Sequence, residues 1–272
     1  MHRLRLVIVA FACVACHNDV RQPVKVQFAS ASGSLSEYFS KLNVQMFDST
    51  GAKFFSKVKT QNVGEQNFGT LALDITGGTY TLVAVGHSSH NSASIKSPER
   101  VEFTANNGEK LTDTFCFCGE LAIGADSRDY AFTMERVTAM FRLTMEDASY
   151  PIDVKRLLFE YTGGSANFNP YTGQGCTKSS QSENRTFSGL GSYDVYTFPY
   201  LSDSCKLKMT ITALDGNDQI VKKRVFESVP MIKNHITEYK GRFFGDDDDP
   251  FGAVSVTFLV NGTWDGVTTI RF

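Results

Sequence analysis

The sequence predicts an all-β protein that consists of two tandem β-sandwich domains. Apolar and polar residues alternate in one run after another, and the alternation is cleanest from Val137 to Met145. A period of two places the apolar side chains on one face of a strand. Turn residues such as Asp215–Asp218 separate these runs, and no segment carries the sustained apolar stripe of a long helix. Short strands with turns between them are typical of sandwich packing.

The first domain is predicted over residues 24–127, and it begins with a half-buried strand at Val24–Phe28. Asp48–Gly51 supplies turn residues, which predicts a hairpin between the runs on either side of it. The interval from Gly86 to Pro98 is rich in Ser, His and Asn and predicts a surface loop. The further strands predicted in this half are Leu42–Met46, Lys53–Val58, Leu71–Ile75, Tyr80–Val85, Val101–Phe103 and Leu111–Gly119.

The second domain is predicted over residues 128–272, with the boundary in the polar interval Gly124–Arg128. The stretch Thr162–Ser192 is rich in Gly, Ser, Asn and Thr and predicts a long loop, a kind of segment that usually carries function or disorder. Terminal strands are predicted within residues 250–272, behind the acidic run Asp246–Asp249. The strands predicted in this half are Val137–Met145, Val154–Tyr161, Val195–Phe198, Leu207–Ala213, Ile220–Val229, Tyr239–Phe244, Val254–Val260 and Thr268–Phe272.

The composition is that of a folded protein and gives no reason to expect nucleic acid as a partner. Of the 272 residues, 42% are hydrophobic and 21% are charged, a balance that argues against disorder. The formal net charge is −2, so the chain has no basic excess with which to neutralise phosphates. The 22 Phe and 10 Tyr residues suit the pleated, half-buried surfaces of sheets.

Residues 1–15 are predicted to be a signal peptide. Arg3 and Arg5 precede an uncharged apolar run from Leu6 to Ala15. A basic start before a short apolar core is typical of a secretory leader. A run of about ten residues spans only about 15 Å as a helix, whereas the hydrocarbon core of a bilayer is about 30 Å thick. We therefore expect the leader to be removed rather than kept as a membrane span.

Cys16 is the predicted lipidation site. Val14-Ala15-Cys16 resembles the end of a bacterial lipoprotein signal, where small residues precede the cysteine that receives the lipid. Cys13 stands where that pattern prefers Leu. Several acyl chains on one cysteine would hold the protein on a membrane, with residues 16–23 as a tether. The alternative is an ordinary secretory signal with incidental cysteines.

Four cysteines follow Cys16 in the mature chain, and export permits disulfides. Cys116 and Cys118 are two residues apart in a predicted strand, so they point the same way and cannot easily bond to each other. Cys176 and Cys205 are a candidate disulfide pair. Two buried free thiols are the alternative.

No catalytic, cofactor-binding or metal-binding residues are predicted. His87 and His90 could share a zinc ion, but no third ligand lies near them in the sequence, which favours solvated loop histidines. Asp246–Asp249 lacks the alternating spacing of a calcium loop and is interpreted as a solvated charge cluster. The sequence has neither a nucleophile elbow nor a phosphate-binding glycine loop. We therefore expect a protein without enzymatic activity and without a cofactor.

Several stretches, in this order, resemble the fimbrillin-like subunits of Bacteroidales type V pili. The first is the lipoprotein leader that ends at Cys16. Gly77–Gly86 is similar to the glycine, tyrosine and apolar-strand segment of the family's N-terminal domain. Glu135–Ala139 is similar to the arginine-led strand that opens its C-terminal domain. Val229–Gly241 resembles its valine-proline, basic-asparagine, threonine and glycine stretch, and the last strand pair with Trp264 fits as well.

The resemblance implies two β-sandwich domains of the transthyretin-like or Greek-key kind and a surface-exposed, lipid-anchored protein of the outer membrane. It further implies assembly with other fimbrial subunits by strand exchange, in which one subunit adds a strand to an open sheet edge of its neighbour. The strands after Asp249 are the expected donor. The candidate donor-strand residues are Val254, Val256, Phe258 and Val260.

The resemblance also bears on the kind of subunit. Shaft subunits in the best-known branch lose their lipidated first strand through an arginine-specific cut. Here Arg21 precedes the strand at Val24–Phe28 and the next arginine is Arg100, so no such cut removes the first strand alone. A different protease could use Lys41. We therefore expect an anchor or accessory subunit that keeps its lipid.

A surface lipoprotein that binds glycan is the alternative function, and a host protein or glycan is a further candidate partner. Trp264, the only tryptophan, stands in a turn where it could stack on a sugar ring, although partly buried packing is the stronger interpretation. Coplanar exposed rings would favour the glycan function. The tyrosines that could take part are Tyr161, Tyr171, Tyr193 and Tyr196.

Overall fold

The structure is a computed structural model that describes residues 21–31, 33–103, 111–124, 126, 129–245, 255–257 and 264–272. Within these residues the chain forms twenty strands and one four-residue helix, α1 (Leu35–Tyr38). This confirms the all-β prediction. The signal peptide, Cys16 and the acidic run Asp246–Asp249 lie outside the described residues.

The strands divide at Val137 into a first half with nine described strands and a second half with eleven. Those of the first half are β1 (Arg21–Ser30), β2 (Lys41–Phe47), β3 (Lys59–Asn62), β4 (Thr70–Thr76), β5 (Gly78–His87), β6 (Ser94–Ser97), β7 (Arg100–Glu102), β8 (Phe115–Ile123) and β9 (Asp129–Arg136). Those of the second half are β10 (Ala139–Met145), β11 (Arg156–Thr162), β12 (Asn167–Asn169), β13 (Gln174–Gly175), β14 (Gln181–Thr186), β15 (Ser192–Thr197), β16 (Ser204–Leu214), β17 (Ile220–Ile232), β18 (His235–Gly241), β19 (Ser255–Thr257) and β20 (Gly266–Arg271).

The first sandwich is built from seven strands in the order β3-β2-β5-β8-β9-β1-β4. Strand β9 joins its two layers, because residues 129–134 pair in parallel with β1 while Glu135 and Arg136 pair with β8. The apolar faces of the two layers meet in one core, to which the alternating residues of β1 contribute. The buried side chains of that core include Val24, Val26, Phe28, Leu42, Val44, Met46, Leu71, Leu73, Ile75, Leu82 and Leu121.

The second sandwich has a five-stranded sheet, β15-β10-β18-β20-β19, facing a four-stranded sheet, β14-β11-β16-β17. The β16–β17 hairpin closes through the turn Asp215–Asp218, as the alternation on both sides predicts. A separate core lies between these sheets. Its fully or nearly fully buried side chains include Phe141, Leu143, Leu157, Phe159, Tyr161, Val195, Leu207, Met209, Ile211, Val229 and Phe243.

A third core holds the two halves together. Strands β6 and β7 of the first half form a small sheet with β12 and β13 of the second, in the order β13-β12-β7-β6. Phe168 and Phe198 from the second half pack with ring centroids 4.6 Å apart, and Phe103 from the first half stacks on Phe198 at 5.9 Å. This core also covers Val83 and Val85 on the outer face of β5. The halves therefore share buried apolar surface.

The predicted strand Lys53–Val58 is wrong, because β3 begins only at Lys59. Backbone pairing of this segment with β2 is limited to an isolated bridge between Lys53 and Phe47, beside which the Phe54 N–H donates to the Met46 carbonyl at 2.7 Å. The buried side chain of Gln45 replaces the ladder beyond it: Gln45 Oε1 accepts the Phe55 N–H at 3.2 Å, and Gln45 Nε2 donates to the Phe55 carbonyl at 3.0 Å. A hairpin still forms, with β3 paired against β2.

Two predicted loops are also more ordered than their polar composition indicates. The interval Gly86–Pro98 contains β6, and its residues His87 and Ser89 are buried. The stretch Thr162–Ser192 contains β12, β13 and β14, and its Phe168 is fully buried in the junction core. The partners of these polar segments are remote in sequence, so the local pattern did not reveal their burial.

Strand pairing favours a later domain boundary than the predicted interval Gly124–Arg128. Strand β9 follows that interval, yet it pairs with β1 and β8 of the first sandwich. The second sandwich begins at β10, after Val137 and Thr138. A boundary after Arg136 therefore fits the sheets better, and the extent of each domain stays a prediction.

Candidate functional site

The C-terminal strand β20 lies against β18 and lengthens the five-stranded sheet. It runs parallel to β18, from His235 opposite Gly266 to Lys240 opposite Arg271. Residues 255–257, which form strand β19, pair antiparallel with β20, and the full extent of the terminal hairpin stays a prediction. Because β18 is otherwise paired only with β10, the terminal hairpin covers a sheet edge.

Polar side chains fix the register of β20 on its outward face. Thr269 Oγ1 donates to Glu238 Oε2 at 2.8 Å, and Thr144 Oγ1 of β10 donates to the other oxygen of that carboxylate at 2.7 Å. Arg271 Nη1 lies 2.9 Å from Glu146 Oε2, which also pairs through its other oxygen with Lys240. These ion pairs are partly exposed, so they direct the strand more than they stabilise it.

The end of β20 meets the sheet at a point where only glycine fits. A Cβ added to Gly241 would lie 1.9 Å from the carbonyl oxygen of Phe272. The Phe272 ring packs edge-on to Phe226 with centroids 5.2 Å apart, and the Arg224 guanidinium lies 5.6 Å from the Phe272 ring centre. Contacts with Gly241, Phe226 and Arg224 therefore fix the position of Phe272.

The base of the terminal segment is held by charged side chains from both sheets. The Asp147 carboxylate accepts the backbone N–H groups of Phe243 and Phe244 at 2.8 Å and of Gly245 at 3.1 Å. Arg224 donates to the carbonyl oxygens of Phe243 and Gly245, at 2.9 and 3.0 Å. Charge-assisted bonds of this kind are stronger than neutral ones. The backbone of Phe243–Gly245 is therefore held in place against both sheets.

Arg136 connects both halves of the chain with the terminal segment. Its guanidinium makes a two-pronged ion pair with Asp113, with Nε–Oδ1 and Nη2–Oδ2 distances of 2.8 Å. Its Nη1 donates to Asn234 Oδ1 at 3.0 Å. The guanidinium also lies between two rings, with its central carbon 4.5 Å from the centre of the Phe115 ring and 3.9 Å from that of Trp264. Arg136 is only 7% exposed, so these contacts satisfy a buried cation.

Trp264 and the tyrosines do not form a platform for a sugar. Trp264 stacks on Arg136 instead of presenting its face to solvent. Tyr161 and Tyr193 are buried, and the Tyr161 hydroxyl donates to the Tyr196 carbonyl at 2.8 Å. Tyr171 is the exposed member of the set, at 54%. The geometry therefore does not favour the glycan-binding alternative.

Of the candidate donor-strand residues, the structure places Val256 in β19, opposite Thr268 of β20. The other three candidates lie outside the described residues, as does Cys16. The donor assignment and the lipidation site therefore stay predictions.

The four described cysteines are free thiols in the structure. Cys176 Sγ lies 3.8 Å from the Glu99 carbonyl oxygen, and burial raises the pKa of both Cys176 and Cys205. The disulfide between these two stays a prediction that alkylation can test. Cys116 and Cys118 share the outer face of β8, as their spacing predicts, and burial raises the pKa of Cys118 to about 12.

His87 is a buried structural residue, which corrects the prediction of a solvated loop histidine. Its Nδ1 accepts the Ser89 N–H at 3.1 Å, so Nε2 carries the proton and donates to Asn43 Oδ1 at 2.8 Å. Burial, aided by the nearby Lys41 charge, lowers the pKa of His87 to about 3. Among the described side chains there is no group of three or more potential metal ligands. The described part of the chain also has no helix of the length and hydrophobicity that a membrane span requires.

A family profile, described as Fimbrillin-A associated anchor proteins Mfa1 and Mfa2, matches residues 16–269. The chain belongs to this family. Membership confirms the resemblance to fimbrillin-like subunits and identifies the chain as a structural subunit of a cell-surface fimbria. Arg136, Asn234 and Gly241, which position the terminal strand, all lie in the two stretches, Glu135–Ala139 and Val229–Gly241, that carried the resemblance.

Solved structures share the fold of this anchor-family chain. A candidate adhesin from Bacteroides ovatus matches with a TM-score of 0.51 at 15% identity, over 75% of this chain and 77% of the other. A second candidate adhesin, from Bacteroides ovatus ATCC 8483, has a TM-score of 0.52 at 11% identity, over 81% and 88%. A candidate polysaccharide-binding protein from Bacteroides thetaiotaomicron has a TM-score of 0.51 at 8% identity, over 74% and 79%. At these identities the likeness concerns the fold alone. No curated protein sequence matches the chain.

Proposed function

We propose that this subunit sits at the membrane end of a fimbria, held at the outer membrane by lipid on Cys16 and joined to the next subunit by strand addition. Its leader, residues 1–15, directs export, and residues 16–20 form the tether, because residues 21–23 of the predicted tether belong to β1. Its role is mechanical: it holds a fibre and catalyses no reaction. Membership in a family of anchor proteins supports this role.

The position of β1 carries the proposal. Arg21 is the first residue of β1 and Arg100 is the next arginine, so a single cut after arginine removes either no more of β1 than Arg21 or most of the first sandwich. Strand β1 lies between β9 and β4, and its Val24, Val26 and Phe28 side chains are buried. A cut after Arg21 would leave Gln22–Ser30 of β1 in place but would remove Cys16, so the tether stays joined to β1 only when the chain is not cut at Arg21. An anchor requires this continuity, because the fibre would otherwise separate from the membrane.

Strand addition is supported by the way in which the terminal hairpin is attached. Strand β20 has a sheet partner on each side, β18 and β19, and the backbone of Gly245 is bonded to Asp147. Such a hairpin can be donated as one unit to an open sheet edge of a neighbour, where backbone bonds give affinity and alternate side chains give specificity. Val254, Val256, Phe258 and Val260 are the proposed donor residues.

Lipid attachment is tested in a Bacteroidales host that carries a tagged full-length gene. We expect palmitate label in the wild-type protein and its recovery in the outer-membrane fraction, and we expect Cys16→Ala to lose both. Unlabelled wild-type protein in the soluble fraction would instead support the ordinary secretory signal. N-terminal sequencing of protein from assembled fimbriae completes the test, since a chain that begins at Gln22 or after Ser30 has lost Cys16 and would exclude the anchor role.

Donation of the terminal hairpin is tested by a polymerisation assay on denaturation-resistant ladders formed with the partner subunits. Deletion of residues 250–272 should abolish the ladder. Because that deletion can also impair folding, a second variant keeps the chain length and replaces Val254, Val256 and Phe258 with Asp. Ladders of wild-type length from a folded form of this second variant would overturn the donor assignment.

A further inference from the structure

A strip of three lysines lies on the edge of the first sandwich. Lys53, Lys57 and Lys59 are all exposed, and no acidic residue occurs between Asp48 and Glu65. No ion pair of these lysines is found among the described residues. The aromatic ring of Phe54, 38% exposed, stands within the strip, and Lys59 Nζ lies 5.4 Å above the ring of Phe55. The strip thus combines unpaired positive charge with exposed aromatic surface.

The strip begins at the end of the sandwich where the tether enters. Arg21, the first residue of β1, is opposite Thr76 of β4. The Tyr80 hydroxyl donates to the Thr76 carbonyl at 3.2 Å, and the Phe54 ring packs edge-on to Tyr80 with centroids 5.6 Å apart. At the same end, Gln22 Nε2 donates to the carbonyl of Gly124, which follows β8.

The length of the tether limits how far this end can stand from the membrane. Four residues, 17–20, separate Cys16 from Arg21, and the five steps from one Cα to the other reach at most about 18 Å when fully extended. Strand β9 enters the first sandwich beside β1 and then leads through Val137 into β10. The second sandwich therefore begins at the end of the first that is remote from Arg21. The lysine strip begins at the Arg21 end and extends to Val58, which packs against the junction core.

We infer that the lysine strip is a membrane-contact surface, which lays the β2–β3 edge of the first sandwich against phosphate-bearing lipid headgroups. The inference rests on the proposed lipidation of Cys16, because the lipid brings the strip to the bilayer. A short tether gives the strip a high local concentration of lipid, so that weak contacts suffice. Lysines favour an anionic surface, and a partly exposed aromatic ring such as that of Phe54 suits the headgroup layer.

The acidic side chains at this end of the sandwich determine which edge faces the lipid. Asp74 on β4, Glu120 on β8 and Asp129 on β9 are exposed and lie on elements other than the strip. The carboxylate of Asp48 is already engaged in its own turn, where it accepts bonds from the Thr50 N–H and hydroxyl and from the Ala52 N–H. Positive charge is therefore concentrated on the β2–β3 edge. Contact through this edge would fix the tilt of the anchor, and with it the direction in which the fibre leaves the cell.

The strip is tested without the lipid, on a mature chain of residues 16–272 that carries Cys16→Ser. Sedimentation with vesicles of phosphatidylcholine alone is compared with vesicles that also contain phosphatidylglycerol. We expect binding to the anionic vesicles that weakens as salt is raised. Replacing all three strip lysines with Gln should lower the apparent affinity about 100-fold, since each lysine near an anionic surface strengthens binding about fivefold.

A matched variant in the second sandwich controls for total charge. It replaces Lys206, Lys208 and Lys223 with Gln, and its affinity should stay that of the parent chain. Equal losses in the two variants would overturn the inference, as would equal binding to the two kinds of vesicle or no binding to either. Palmitate labelling reports on Cys16 separately, so failure of the lipid anchor and failure of the strip can be distinguished.

Discussion

Gly241 is a residue at which the second sandwich lies directly against the backbone of the terminal strand. It belongs to β18, and the backbone of Phe272 fills the space that any side chain at this position would need. A few residues that contact the terminal segment determine whether the terminal hairpin stays bound to the second sandwich. Asp147 and Arg224 hold the start of the segment, and Gly241 admits its end.

Replacement of Gly241 by Ala should displace the end of β20. The new Cβ would overlap the Phe272 carbonyl oxygen and would lie 2.9 Å from the Phe272 carbonyl carbon and 3.1 Å from its nitrogen, so the backbone at the end of β20 must shift. We expect faster hydrogen exchange across Gly266–Arg271 and a loss of about 1–3 kcal/mol in the free energy of unfolding. Gly216→Ala is the matched control, since the atom nearest to its Cβ is Lys155 Cγ at 3.8 Å. Hydrogen-exchange rates in β20 that Gly241→Ala leaves unchanged would contradict the close contact between Phe272 and Gly241.

His87 should make the stability of the protein depend on pH. Its pKa in the folded chain is about 3, below the ordinary value of 6.5, because burial disfavours the charged ring. Between these two pH values the unfolded chain binds a proton that the folded chain does not. Stability from this group is therefore complete above pH 6.5 and decreases as the pH falls, by about 3 kcal/mol at pH 4.

Urea unfolding at several pH values between 7 and 4 measures this dependence. His87→Gln should flatten it, because Gln can replace the hydrogen bonds but does not titrate. His90→Gln changes an exposed histidine in the same segment and should leave the slope as in the wild type. A wild-type slope in His87→Gln would show that another group is responsible.

At the scale of elements, the terminal hairpin is attached at both of its ends. The end near Phe272 is held by its close backbone contact with Gly241. The other end is held by Trp264, which stacks on the buried guanidinium of Arg136. The Asp265 N–H also donates to the Asn234 carbonyl at 2.8 Å, directly beside that stack. Because Arg136 is bound to Asp113 of the first half, the position of the hairpin is linked to the junction between the sandwiches.

Removal of the Trp264 ring should therefore loosen more than the hairpin. Trp264→Ala takes one ring from the cation and should cost about 1–2 kcal/mol. We expect faster hydrogen exchange both in β20 and at Thr114, whose N–H donates to Thr138 beside Asp113. Trp264→Phe keeps a ring and should restore most of the protection. If Trp264→Ala and Trp264→Phe lose the same protection from hydrogen exchange, the volume of the Trp264 side chain, rather than the stacking of a ring on Arg136, holds the hairpin.

On the scale of the whole molecule, the junction core makes one body of the two sandwiches. Residues of the first half, such as Val101 and Phe103, are buried against Phe168 and Phe198 of the second half. A subunit that transmits force from a fibre to a membrane benefits from a rigid junction. In this chain the junction is built from apolar surface in addition to the Arg136–Asp113 pair.

Phe168→Ala should uncouple the two sandwiches. The ring is fully buried, and its removal should cost about 3–5 kcal/mol, mainly at the junction. By calorimetry we expect one unfolding transition for the wild type and two partly separated transitions for the variant. Ile220→Ala, at a side chain 65% exposed, is the control and should leave a single transition. A single, merely lowered transition in Phe168→Ala would argue against a separable junction.

Most of the fold follows from local pattern. The alternation in Val24–Phe28 and in Leu207–Ala213 predicts strands that the structure confirms, because each of them buries one face. The prediction failed where a polar side chain supports the backbone from within the fold. Gln45 donates a hydrogen bond to the backbone carbonyl of Phe55, and Asn43 accepts one from the ring of His87.

The candidate site was only partly visible in the sequence. Trp264 was noted as a residue that packs or binds sugar, and its true neighbour, Arg136, is 128 positions earlier in the chain. No local period links such a pair. The contact between Phe272 and Gly241 is likewise a contact between two backbone segments, and a sequence pattern describes only side chains.

The sequence by itself determined the strand-rich class and the resemblance to fimbrial subunits, and it is the basis on which the leader and the lipidated cysteine are proposed. These depend on the order and spacing of neighbouring residues, which the chain carries before it folds. Only the tertiary structure decided which strands join which sheet, that the two sandwiches share a core, and that a buried arginine is enclosed by residues from both halves and the terminal segment. Those outcomes depend on contacts between distant residues, and the free energy of such contacts exists only once the chain is packed.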